Sequence, residues 1–291
     1  MSASRAVVAI LAAVIVLPGC DSATSKAPPA NATASFPAKG AKWTLGGVPC
    51  CNLIAVPATA SPVGTGACPG VRPGAIVLSD VGQCTLNFLF RGSDGSRYIG
   101  TAGHCVLGAS PIGGDVGETS WGPGKGPVAR DSAGSRIGEF AYAILQDPKD
   151  FSLIRLDSQA QASAAMCHFG GPTGVNDDRP GLTQPVVLEW FGNGIVLGSA
   201  LPGRSAIAAG MPSPDHVFAQ GVATPGDSGS GVISSDGRAV GALVTVGAHT
   251  GSPGLAGGDA GLVGITRLTP QVERAQQVLG TSLTLQSAPI Q

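Results

Sequence analysis

Charge is scarce in this sequence. Only 12% of its 291 residues are Asp, Glu, Lys or Arg, and the formal net charge is −1. No basic run of the kind that engages phosphates is present, so nothing points to nucleic acid as a partner. Long apolar runs are missing as well. The stretch Ala6 to Leu17 has twelve residues, too few to span a bilayer. Spaced metal ligands are also lacking. Cys50-Cys51 and His104-Cys105 are adjacent pairs, whereas zinc sites use ligands a few residues apart. Neither a metal nor a cofactor is therefore expected. Glycine is abundant, at 45 residues. Set among many short apolar runs, it suits an all-β protein rich in turns.

The first twenty residues read as a targeting segment. Arg5 supplies a short basic region, the apolar stretch comes next, and Leu17-Pro18-Gly19-Cys20 closes it. That ending resembles the lipobox of bacterial lipoproteins, which implies lipidation of Cys20 and an extracytoplasmic, membrane-anchored protein. An ordinary signal peptide cut near Gly19, giving a secreted protein, is the alternative. The seven cysteines leave one odd, and setting Cys20 aside leaves six that can pair. Residues 21–42 are rich in Ser, Ala, Pro, Lys, Asn and Thr and read as a flexible tether. Residues 43–80 carry Cys50, Cys51 and Cys68 and read as an extension, either packed on the C-terminal bulk of the chain or removable.

One stretch organises the remainder: Thr224-Pro225-Gly226-Asp227-Ser228-Gly229-Ser230-Gly231. Gly, Asp and Ser are ordinary turn formers, so a plain loop is one reading. Chemistry supplies another. A serine hydroxyl is a weak nucleophile that needs a neighbouring base, and an oxyanion formed by its attack needs N–H donors. Glycines let the amides of Gly226 and Ser228 point to one spot. Thr101-Ala102-Gly103-His104-Cys105 offers the base. Asp150, at the head of Phe151-Ser152-Leu153-Ile154-Arg155-Leu156, offers the orienter, with Asp147 and Asp157 as nearby competitors. The order His104, Asp150, Ser228 is one of three unrelated orders in which this triad occurs.

With these motifs the chain, over roughly residues 80 to 280, resembles the chymotrypsin-fold (trypsin-like) serine proteases of the bacterial secreted kind. The resemblance implies an all-β domain over 81–283: two six-stranded antiparallel Greek-key barrels, about 81–160 and 161–268, with the active site in the cleft between them. A short C-terminal helix would come after them, with Thr269 as N-cap, Pro270 at the first helical position and Gly280 at its end, and 284–291 would be a tail. His104 would be the general base, Asp150 its orienter, Ser228 the nucleophile, and the Gly226 and Ser228 amides the oxyanion hole. Peptide or protein would be the substrate. An inactive protease-fold binding module is the alternative. Cys84 and Cys105 pair in the family. Cys167 is expected to tie the N-terminal extension to the domain, with a vicinal Cys50–Cys51 bond disfavoured as strained. Val222 and Ala223, with Thr245, Val246 and Gly247 as a wall, are expected to form an uncharged substrate pocket, unless the loop His249 to Asp259 reshapes it. Two departures from the family stand out. Ser230 and Gly231 occupy positions where Gly and Pro are usual. No Ile-Val-Gly-Gly-like start precedes Cys84, so Asp227 needs a cation other than a freed N-terminus.

Overall fold

The computed structural model describes residues 68–108, 116–180, 185–194, 203–246 and 262–291. Residues 1–67, with Cys20, Cys50 and Cys51, lie outside them, as do Gly247 and the loop His249 to Asp259.

The N-terminal half contributes β1 (Ile76–Leu78), β2 (Gln83–Thr85), β3 (Leu89–Gly92), β4 (Arg97–Thr101), the short helix α1 (His104–Leu107), β5 (Gly117–Ser120), β6 (Val128–Arg130), β7 (Arg136–Gln146) and β8 (Lys149–Leu156). They pair antiparallel in the order β3-β4-β8-β7-β6-β1-β2, with β5 also on β7. Ile137 and Phe140 to Ile144 of β7 are all buried, so the strand reads as a continuous apolar run rather than an alternating one. The first strand begins at Ile76, ahead of the expected Val81, because Val77 is buried and pairs with Cys84.

The C-terminal half contributes β9 (Val186–Phe191), β10 (Gly203–Ser213), β11 (His216–Gln220), β12 (Gly231–Ser234), β13 (Ala239–Val246) and β14 (Leu262–Arg267). These close a six-stranded barrel, β10-β11-β14-β13-β12-β9. The all-β, two-part architecture is as expected, and one detail differs. The N-terminal half is a curled sheet without a closing strand pair among the described residues. One edge of the long β7 is shared by two short strands, β5 at Tyr142–Leu145 and β6 at Arg136–Glu139. At the β2 edge, Thr85 N–H donates to Ser228 O at 2.8 Å, so part of that edge is taken by the other half.

Helix α2 (Leu268–Leu279) comes next, two residues earlier than expected. Its N-cap is Arg267 rather than Thr269, whose hydroxyl instead donates to Asp177 Oδ1 at 2.5 Å. Pro270 sits in the first turn, where a missing N–H costs nothing, and Gly280 closes the helix in the left-handed region. The supposed tail is pinned. β15 (Leu283–Leu285) pairs with β3, and Gly171 N–H donates to Pro289 O at 2.8 Å.

The core forms two clusters, the first of which also takes in Phe191, Ile233 and Val244 from the C-terminal half. Phe88, Tyr98, Phe140, Tyr142, Phe151 and Leu153 fill the first. In the second, Trp190 is fully buried among small and medium residues that include Ala206, Ala219, Val232 and Ile265. Cys84 pairs with Cys105, and Cys68 pairs with Cys167 at a Cα separation of 5.8 Å. The second bond is the link expected of Cys167. It joins the end of the N-terminal extension to the connection between β8 and β9.

Candidate active site

The N-terminal sheet places a histidine and an aspartate together by register alone. β4 pairs with β8 so that Thr101 lies opposite Ser152. Beyond that pair β4 turns into α1 at His104, while β8 extends back to Asp150. The two residues therefore meet past the last rung. Asp150 grips His104 twice. Its Oδ1 accepts the His104 backbone N–H at 2.9 Å, and its Oδ2 lies 2.6 Å from Nδ1. A carboxylate can only accept, so Nδ1 carries the proton and Nε2 presents a lone pair in the neutral ring. Both side chains are largely buried, with 19% and 11% exposed. Burial pulls the imidazole pKa down, but the charge and hydrogen bond of Asp150 outweigh it and leave the group above its ordinary value. Asp157, a sequence competitor for this role, is engaged by Arg136 at 2.9 Å instead.

The other half supplies the loop. Ser228 is half-buried, and among the described residues its hydroxyl forms no hydrogen bond. The surrounding backbone is almost fully engaged. Asp227 N–H donates to Thr224 O, Gly229 N–H to Leu243 O and Ser230 N–H to Asp227 O. Gly226 O accepts the Thr85 hydroxyl at 2.8 Å, and Ser228 O accepts the Thr85 amide. Two donors are left over. Among the described residues, the N–H groups of Gly226 and Ser228 find no acceptor in the protein. Gly226 adopts φ +99°, a conformation costly for any residue with a Cβ. Gly229 lies so near Ala102 that a Cβ would approach its nitrogen to 2.8 Å. The serine loop thus rests on the strand end that leads to His104.

Asp227 is the buried anchor of this loop, with no exposure to solvent. Arg204 Nη1 forms an ion pair with its Oδ2. Gly194 N–H donates to Oδ1 at 2.7 Å and Thr224 N–H to Oδ2 at 2.8 Å. Arg204, in β10, is the cation that the missing N-terminal motif called for. Sequence reasoning did not find it. The available signal was that Arg204 is the only Lys or Arg between Arg179 and Arg238. Thr85 was also missed as the residue that joins the two halves, for its strand carries no motif.

Val222 is 55% exposed and Ala223 is buried. They come after β11, whose Gln220 pairs with Leu262, while Val246 at the end of β13 pairs with Val263. The 222–223 segment and the end of β13 with Thr245 and Val246 therefore flank the start of β14 at one end of the barrel. The ligating atoms of Cys84, His104 and Cys105 lie within 4.8 Å of one another. Both sulfurs are in the disulfide and offer no thiolate to a metal.

No family model matches the chain, and no curated protein matches it. Among solved structures, it is similar to a glutamic acid-specific serine protease, with 16% identity and a TM-score of 0.45 over 74% of this chain and 100% of that one. It is also similar to Nocardiopsis protease, with 17% identity and a TM-score of 0.48 over 73% and 98% of the two chains. For Cellulomonas bogoriensis chymotrypsin the identity is 15% and the TM-score 0.46, over 74% and 99%.

This geometry has two testable outcomes. Arg204→Met strands a buried carboxylate, a loss worth about 3–5 kcal/mol, and Asp227→Asn in the same chain should recover much of it. Urea unfolding of the single and double variants measures both, and an Arg204→Met protein as stable as the parent contradicts the pairing. The second outcome concerns pH. Because the folded pKa of His104 is raised, the neutral ring needed for a base should appear with a midpoint above 6.5. The stability from the charged pair is full below the unfolded value and is lost as pH rises through the folded one. The rate of fluorophosphonate labelling against pH reads the midpoint. Asp150→Asn should move it down, and a parent midpoint below 6.5 contradicts the dominance of Asp150 over burial.

Proposed function

We propose that the chain is a serine endopeptidase that acts outside the cytoplasm, tethered to a membrane through lipid on Cys20. One observation carries the catalytic reading. A serine loop packed on the strand end that leads to His104 has every N–H from Thr224 to Ser230 engaged except two, those of Gly226 and Ser228. Water would serve any loop equally well, whereas two fixed donors beside a serine suit a tetrahedral oxyanion.

In this reading His104 Nε2 removes the proton from Ser228 Oγ as the oxygen attacks the carbonyl carbon of a peptide bond. The carbonyl oxygen gains the negative charge and takes the Gly226 and Ser228 hydrogen bonds. Asp150 keeps the imidazole in the correct tautomer and stabilises the imidazolium. His104 then protonates the leaving amine as the C–N bond breaks, leaving an acyl group on Ser228. Water, deprotonated by the same histidine, releases the acid. The contact between Ser228 and His104 is expected to tighten when substrate arrives, as such contacts are often loose in the free protein.

A fluorophosphonate should label the wild-type protein and leave Ser228→Ala unlabelled. His104→Ala should lose nearly all labelling, and the double variant should be little worse than either single one, because triad members act as a unit. Labelling that persists in Ser228→Ala ends the assignment. For the tether, Cys20→Ser should move the protein from membranes to the medium or leave an unprocessed precursor. A diacylglyceryl group brings the two chains that stable anchoring needs. A fully processed Cys20→Ser protein that stays on membranes rules the anchor out.

A further inference from the structure

We infer that Ser230 is a positioning residue of this site: its hydroxyl sets the direction of the Ser228 N–H by holding the far end of the same peptide group. The inference rests on the reading of Ser228 as nucleophile.

The peptide joining Asp227 to Ser228 carries one of the two unengaged donors. In a planar trans peptide the C=O and N–H point in opposite directions, so fixing the oxygen fixes the N–H. Asp227 O accepts two hydrogen bonds, both from one residue. The Ser230 amide donates at 3.0 Å and the Ser230 hydroxyl at 2.7 Å. An amide alone limits the distance to the oxygen and leaves the tilt of the plane soft. A second donor from another direction removes that freedom. The hold matters here because glycines flank the Asp227-Ser228 pair, and their backbones resist rotation least.

Ser230 is built to serve as a fixed point. It is fully buried, so solvent does not compete for its hydroxyl. Its own carbonyl accepts Leu243 N–H at 2.9 Å, which ties its backbone to β13. Gly192 packs against the hydroxyl so closely that a Cβ there would come within 3.0 Å of Oγ. The Arg204–Asp227 ion pair acts at the other end of the residue. It fixes the Asp227 side chain and leaves the plane of the following peptide to Ser230.

Acylation by p-nitrophenyl acetate and by its thiono counterpart tests this, since sulfur in place of the carbonyl oxygen is a poor partner for an oxyanion hole. The wild type should acylate much faster with the oxo ester. Ser230→Ala should lose roughly ten- to hundredfold in oxo-ester acylation and much less with the thiono ester, so the ratio of the two rates collapses. Ser230→Gly, which also lacks the hydroxyl, is measured beside it, with thermal melts of both, so that a folding defect in one variant is bypassed by the other. Oxo-ester acylation within about twofold of wild type in the variants overturns the inference. So does a rate loss at an unchanged ratio, because a slackened fold slows both esters alike. A wild type that neither ester acylates is a different failure, for it removes Ser228 as nucleophile and this inference with it.

Discussion

The Arg204–Asp227 ion pair is the constraint on which the serine loop depends. A carboxylate with no exposure to solvent is strongly unfavourable unless charge and hydrogen bonds replace the water it has lost. Here the guanidinium supplies the charge, and the Gly194 and Thr224 amides supply two donors. The same contacts tie four separate segments to one point: the turn after β9, the start of β10, the approach to the loop, and the loop itself. A stretch made of Gly, Asp and Ser would otherwise have many accessible backbone conformations. Burying one charged side chain in its middle gives it a single conformation.

The two halves divide the proposed chemistry between them, and hydrogen bonds across their boundary set the alignment. The N-terminal sheet places His104 and Asp150 through the register of β4 on β8, a long-range pairing that the rest of that core enforces. The barrel places Ser228 through Asp227. Thr85 connects the two frames, as its amide donates to Ser228 O and its hydroxyl donates to Gly226 O. Sliding the halves against each other would break both contacts at once. Relative position is therefore specified at the loop itself, close to where the proposed reaction occurs.

Much of this was legible in the sequence, and the exceptions have physical causes. His104 and Ser228 sit in short motifs whose residue types the proposed chemistry would demand, and Asp150 heads a strand whose apolar pattern is plain. Arg204 was not legible because what makes it necessary, a buried anion, is remote in sequence and visible only once the loop is folded. β10 is hard to read from the sequence for a related reason. Gly203 to Ser213 is mostly Gly, Ala and Ser with one proline, which carries neither alternation nor β-branched enrichment, and it is a strand because β9 and β11 pair with it on both sides. Ala206 and Ala208 of the same strand make room for Trp190 in the barrel core. The early start of α2 reflects tertiary override. Thr269 is a good N-cap type, but Asp177 takes its hydroxyl and the helix begins two residues sooner.

The ion pair also removes an electrostatic conflict. Asp227 directly precedes the proposed nucleophile, so an isolated carboxylate there would repel an anion forming on the substrate oxygen. At the effective dielectric of about 20 that suits protein sites, such repulsion between close charges amounts to a few kcal/mol, enough to cancel much of what two amide donors contribute. Arg204 neutralises that field at its source while remaining buried with its partner. What an incoming carbonyl would meet is then the dipoles of the Gly226 and Ser228 amides, with little net charge behind them. A chain so sparing of charge places one full ion pair where a single unpaired charge would do the most harm. The orientation of the two amides then governs how well the site fits an oxyanion.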